Sequence, residues 1–133
     1  MITGNTGANA LSGLAGADTI TGGSGNDTLT GGIGADQFVF LSASSGIDVI
    51  EDFNNLDGLG AEGDLLVFTG LLVGTFDYLG GAAFTGGSDN SEARVVGNQL
   101  QIDTDGNGTA NIKIQMTGLV SDTQLTDSDF VWN

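Results

Sequence analysis

Leu11, Ile20, Leu29 and Phe38 recur every nine positions, and the first three stand between polar or small neighbours. The stretches between them are glycine-rich hexapeptides, GNTGAN, GLAGAD, GGSGND and GGIGAD. A hydrophobic in one slot four times over is not linker behaviour, because a flexible chain has no use for a fixed apolar register. The pattern predicts a six-residue turn followed by a three-residue strand whose central side chain points inward, repeated over residues 4–39. Two nonapeptides complete one coil, so turns eighteen residues apart stack on the same edge. Asn9 then lies over Asp27, and Asp18 over Asp36.

After residue 40 the nine-residue period is lost, and short β segments separated by Gly, Asn, Asp and Ser take over. They are IDVIEDF (47–53), DLLVF (64–68), GTFDYL (74–79), SEARVV (91–96), NQLQID (98–103), ANIKIQM (110–116) and DFVWN (129–133). Leu100 and Ile102, then Ile112, Ile114 and Met116, alternate cleanly onto one face. No helix period is evident beyond a turn near SASSG or SDTQL. The fold expected is all-β: a short parallel β-roll over residues 4–39, or as far as about 48, continuing into and capped by a β-sandwich over 40–133. A cap is required because an open roll end exposes unpaired edge groups and apolar interior.

Charge changes the picture next. Seventeen acids face only Arg94 and Lys113, for a net charge of −15. Such a balance excludes nucleic acid as a partner and favours a cation. With 39% hydrophobic residues the chain has too much apolar side chain for a disordered acidic tail. Cysteine and histidine are both absent, which removes disulfides, thiolate sites, the commonest zinc ligand and the usual general base. MITGNTGANA has neither the charged nor the apolar region of a secretory signal. DLLVFTGLLVGTF is interrupted and too short to span a bilayer, so no membrane insertion is expected.

Stacked carboxylates repel unless a cation lies between them. Glycine admits the positive φ of a tight turn and lets main-chain carbonyls converge on the same point. Two carboxylates with roughly four carbonyls form an oxygen-only shell of about six ligands, which suits Ca2+ better than Mg2+. The ligands expected are Asp18, Asp27, Asp36 and Asn9 through side chains, and Gly13, Gly22, Gly23, Gly25 and Gly31 through carbonyls. Asn9 offers a single neutral oxygen, so the edge it shares with Asp27 should be the weaker one. About two to three ions fit: one per stacked pair and one at a closing site.

GGSGNDTLT and GGIGADQFV resemble the repeats-in-toxin (RTX), hemolysin-type calcium-binding family. GADQFVF, IDVIEDF, GDLLVF and LTDSDFVWN are similar to the C-terminal domain of serralysin-type metalloproteases and related type I secreted enzymes. The resemblance implies calcium binding outside a bacterial cell, export by the type I secretion machinery, and a covalently attached catalytic domain. It also implies an uncleaved C-terminal export signal, here Asp129 followed by Phe130, Val131 and Trp132. Asp27 and Asp36 match the family's metal carboxylates, Asp18 does so in a weaker repeat, and Asp48 and Asp52 resemble acids that follow the last repeat. Asp48, and with it Asp52, could close a third site above Asp27, Asp48 being the one assigned to it; a turn-capping Asp48 and a solvent-facing Asp52 are the alternatives.

DTDGNGTAN (103–111) opens like an EF-hand loop, which makes Asp103, Asp105 and Asn107 secondary candidates. Position twelve is Ile114 instead of Glu, however, and the flanks alternate, so a hairpin turn is the favoured reading. No nucleophile–base pair or phosphate loop is present, and the chain is read as non-catalytic. A second functional reading is a carbohydrate-binding module, like the calcium-roll modules of polysaccharide-modifying epimerases, with a neutral or calcium-bridged glycan as partner.

Because Asp27 and Asp36 fall on opposite edges, Asp36→Ala should damage the edge of Asp18 first. A calcium titration followed residue by residue in amide NMR spectra checks this, and equal loss at both edges would contradict the stacking register.

Overall fold

A computed structural model of the chain describes residues 1–41, 46–53, 63–87 and 89–133. The protein is all-β. Five short strands occupy the repeat region: β1 (Ile2–Thr3), β2 (Ala10–Ser12), β3 (Thr19–Thr21), β4 (Thr28–Thr30) and β5 (Gln37–Phe40). Seven more follow: β6 (Ile47–Ile50), β7 (Leu65–Phe68), β8 (Phe76–Tyr78), β9 (Ser91–Val96), β10 (Gln99–Asp103), β11 (Ile112–Met116) and β12 (Phe130–Trp132). The helical content among the described residues is two 3-10 turns, Asp122–Gln124 and Asp127–Asp129.

The strands alternate between two sheets. One runs β1-β3-β5-β7-β12 and the other β2-β4-β6-β11-β10-β9-β8. Within the repeats every pairing is parallel and displaced by eighteen residues: Ile2 lies beside Ile20, Leu11 beside Leu29, and Ile20 beside Phe38. Thr–apolar–Thr triplets suit such three-residue strands, because β-branched threonine fits the pleat while the central side chain turns inward. Ile20, Leu29 and Phe38 are fully buried, whereas Leu11, near the open end, is only partly so.

Both sheets pass residue 40 without a break. β6 pairs in parallel with β4, and β7 with β5. β6 then pairs in parallel with β11, which opens the antiparallel run β11-β10-β9. Leu100, Ile102, Ile112, Ile114 and Met116 are fully buried, as their alternation demands, in the same core as Ile20, Leu29 and Phe38.

The first sheet ends on β12, parallel to β7. Its Trp132 ring stacks on Phe68 at 4.7 Å and lies 4.8 Å from Phe76, while Phe130 lies 4.9 Å from Phe76. Tyr78 donates its hydroxyl to the Asp122 carbonyl at 2.7 Å. Burial, and then the neighbouring Asp122, Asp129 and Asp127, push its pKa up to about 12. Tyr78 and Trp132 thus pack and lock the C-terminal segment.

Residues 104–111 form the loop of the β10–β11 hairpin, which Asp103 opens from the end of β10. Asp103 is fully buried and accepts N–H groups from Asp105 (3.1 Å), Gly106 (2.8 Å) and Gly108 (2.6 Å). Burial alone would raise its pKa. The bonds from Gly108, Asp105 and Gly106 outweigh that and hold it below the ordinary carboxylate value. A depressed folded-state pKa stabilises the fold above the unfolded value near ~4, and the contribution vanishes as pH falls through the folded pKa. Asp103→Asn should therefore cost roughly 1.5–3 kcal/mol at neutral pH, with the gap to the parent closing below about pH 4. Urea unfolding at pH 7 and pH 3 checks this at fixed calcium; a gap of equal size at both pH values would contradict it.

Candidate metal centre

Each turn of the coil ends on an acid or amide immediately before a strand, and these residues stack. On one edge Asp27 Oδ1 accepts the Asn9 N–H at 2.9 Å, and Asp48 Oδ1 accepts the Asp27 N–H at 2.9 Å. On the other, Asp36 Oδ1 accepts the Asp18 N–H at 2.8 Å, and Asp64 Oδ1 accepts the Asp36 N–H at 2.8 Å. The main chain runs alongside: the carbonyls of Asn9, Asp27, Asp18 and Asp36 accept N–H groups from Thr28, Val49, Gln37 and Leu65. Two columns result, Asn9–Asp27–Asp48 and Asp18–Asp36–Asp64.

The columns are partly dry. Asp27, Asp36, Asp48 and Asp64 are all buried, and Asp18 is intermediate, with Oδ1 3.9 Å from the Met1 ammonium. Asp27 is only 1% exposed, and its Oδ2 has no hydrogen-bond partner among the described residues. Burying a carboxylate oxygen without a partner is costly, and a bound cation would offset that cost.

Main-chain oxygens gather at the same places because glycine leaves room for them. A Cβ on Gly13 would lie 2.5 Å from the Gly31 carbonyl oxygen and 2.9 Å from Asp18 Oδ2. On the opposite edge a Cβ on Gly4 would overlap both the Gly22 carbonyl oxygen and Asn9 Oδ1. Side chains on Gly22 and Gly31 would collide with Asp27 Oδ2 and Asp36 Oδ2 respectively. Each cradle is therefore lined by oxygen and closed to any residue larger than glycine. Gly23 and Gly25 share the Asp27 turn, backing onto Asn5 and Gly7 of the coil below. A cleft of about 310 Å³ opens on this edge beside Asn5, Thr6, Ser24 and Asp48.

Residues 3–38 match the RTX calcium-binding nonapeptide repeat in four copies. Over these residues the chain is an RTX calcium-binding repeat array. The array is thus a calcium-binding element, and oxygen cradles beside buried carboxylates fit that ion's hard, flexible coordination. A search of the curated proteins gave no match. Among the described residues no helix is long and apolar enough to cross a membrane.

The sequence-predicted residues separate cleanly. Asn9, Asp27, Asp48, Gly22, Gly23 and Gly25 come together on one edge of the array, and Asp18, Asp36, Gly13 and Gly31 on the other. Asp103, Asp105 and Asn107 lie apart from both, in the hairpin loop. There Asp105 Oδ1 accepts the Asn107 N–H at 3.3 Å, and its Oδ2 accepts Asn107 Nδ2 at 3.0 Å. Asp64 went unrecognised as a column member, although DLLVF (64–68) echoes DQFVF (36–40) residue for residue in its acid and its last two hydrophobics. Asp52 neither joins a column nor simply faces solvent: it accepts the N–H groups of Gly31 and Gly32, each at 2.8 Å.

One turn departs from the RTX pattern at a measurable cost. Leu14 occupies the slot that Gly23 and Gly32 fill in the next repeats, and it is forced to φ +76°, against +104° and +103° for those glycines. A left-handed leucine is strained, and this side chain is 74% exposed, so little packing offsets it. Leu14→Gly should stabilise the calcium-loaded protein by about 1 kcal/mol. A lower urea midpoint for the variant would contradict the assignment of strain.

Proposed function

We propose that this chain is a non-catalytic calcium-binding module of an extracellular bacterial protein, exported by a type I secretion system and folding when it meets Ca2+ outside the cell. In this reading it stabilises a covalently attached domain. The observation that carries it is Asp27 Oδ2, buried and without a hydrogen-bond partner beside a column of stacked acids. On the first edge Asp27, Asn9 and the Gly22 carbonyl would hold one ion, with Asp48 closing a further position above. On the second, Asp18, Asp36 and the Gly31 carbonyl would hold another, for about two to three ions in all.

Calcium would supply the positive charge that two acidic columns lack. Where calcium is scarce, repulsion along the columns disfavours stacking, and the chain stays extended and able to pass through a channel. At millimolar calcium the ion binds the folded state alone and pulls folding forward. In the folded chain Phe130 is buried in the core and β12 pairs with β7, so the export reading would have this segment recognised before it folds.

Circular dichroism during a calcium titration tests the coupling. The expected outcome is a calcium-dependent gain of β signal and a rise in melting temperature that chelator reverses. An apo protein equally β-rich and equally stable would overturn it.

A further inference from the structure

We propose that Asp52 is a positioning residue for the metal site on the Asp18–Asp36 edge, a role that rests on the calcium reading above. In the first two turns the opening N–H finds a main-chain acceptor: Gly4 donates to the Thr21 carbonyl at 2.8 Å, and Gly13 to the Thr30 carbonyl at 3.0 Å. For Gly31 that succession fails. β6 ends at Ile50, and Glu51 beyond it still donates its N–H to the Leu29 carbonyl at 3.0 Å. The Asp52 carboxylate fills the gap, with Oδ1 accepting the Gly31 N–H and Oδ2 the Gly32 N–H, each at 2.8 Å.

The second of those bonds sets the direction of an oxygen. The Gly31–Gly32 peptide is planar and trans, so its C=O points opposite to its N–H. Anchoring the Gly32 N–H on Asp52 aims the Gly31 carbonyl the other way, toward the Gly13 cradle, where it converges with Asp18 Oδ2. Gly31 and Gly32 both lack side chains, and Gly32 sits at φ +103°, so nothing local fixes this peptide plane. Asp52 does so from outside the turn. It acts as an outer-shell partner of the ion through a carbonyl, as carboxylates commonly act on metal-ligating histidines.

The test uses the full chain, with Ca2+ alone as ligand. Calorimetric titration gives overall affinity, and amide NMR spectra assign each binding event to the Asp18–Asp36 or the Asn9–Asp27 edge. Asp52→Ala should weaken the Asp18–Asp36 edge by roughly 10–100-fold and leave the other edge within about threefold. Asp52→Asn keeps one acceptor oxygen and should recover part of the loss; it decides the matter if the alanine variant does not fold. Unchanged affinity at the Asp18–Asp36 edge, or equal losses at both edges, would overturn the positioning role. A parent chain that binds no calcium would overturn the underlying reading instead, and the two failures are told apart in the first titration.

Discussion

The structure depends on a division of labour within each stacked carboxylate. One oxygen accepts the backbone N–H of the acid or amide one coil below, at 2.8–2.9 Å in all four instances. That bond stitches coil to coil at the end of each turn, beside main-chain bonds between turns such as Ile33 N–H to the Leu14 carbonyl and Ser24 N–H to the Asn5 carbonyl. It also places one acid directly above another, which is unfavourable without a counterion. The second oxygens of Asp27 and Asp36 lie against Gly22 and Gly31, and a hard cation there would satisfy both problems together. If the columns hold calcium as proposed, stability and metal binding are one property.

This constraint explains the chemistry of the turns and the shape of the whole chain. Glycine stands at Gly4, Gly13, Gly22 and Gly31 because any side chain there would displace an oxygen of the cradle. The columns outlast the nonapeptides: Asp48 and Asp64 continue them at steps of 21 and 28 residues in place of 18. β6 and β7 extend the same two sheets, and β11 and β12 pair onto those strands. Ordering the columns therefore orders the surfaces on which the C-terminal half is built. In the proposed reading, that shared core would link calcium binding to the rest of the fold without any separate relay.

Much of this was legible in the sequence because the physics is periodic there. Leu11, Ile20, Leu29 and Phe38 fixed four strands and their register, and Asn9, Asp18, Asp27 and Asp36 fell on the expected edges. Alternation placed β10 and β11, since a half-buried antiparallel strand writes its inner face into every second residue. Legibility stopped where spacing became irregular. Asp-x-apolar triplets continue as DVI and DLL at Asp48 and Asp64, but the intervening segments differ in length, so a search for period nine passes over Asp64. Asp52 was harder still, because its bonds to the Gly31 and Gly32 N–H groups span 21 and 20 residues, outside the repeat spacing. The turn anticipated near SASSG falls largely on residues 42–45, outside the described residues, whereas the one near SDTQL is the 3-10 turn Asp122–Gln124.

The central claim, that the columns are calcium sites, is tested most directly by a crystal structure grown in calcium. The account predicts ions bound to Asp27 Oδ2 on one edge and between Asp18 and Asp36 on the other, with glycine carbonyls completing each shell at about 2.3–2.6 Å. Columns without an ion at saturating calcium, or calcium confined to the 103–111 loop, would contradict it.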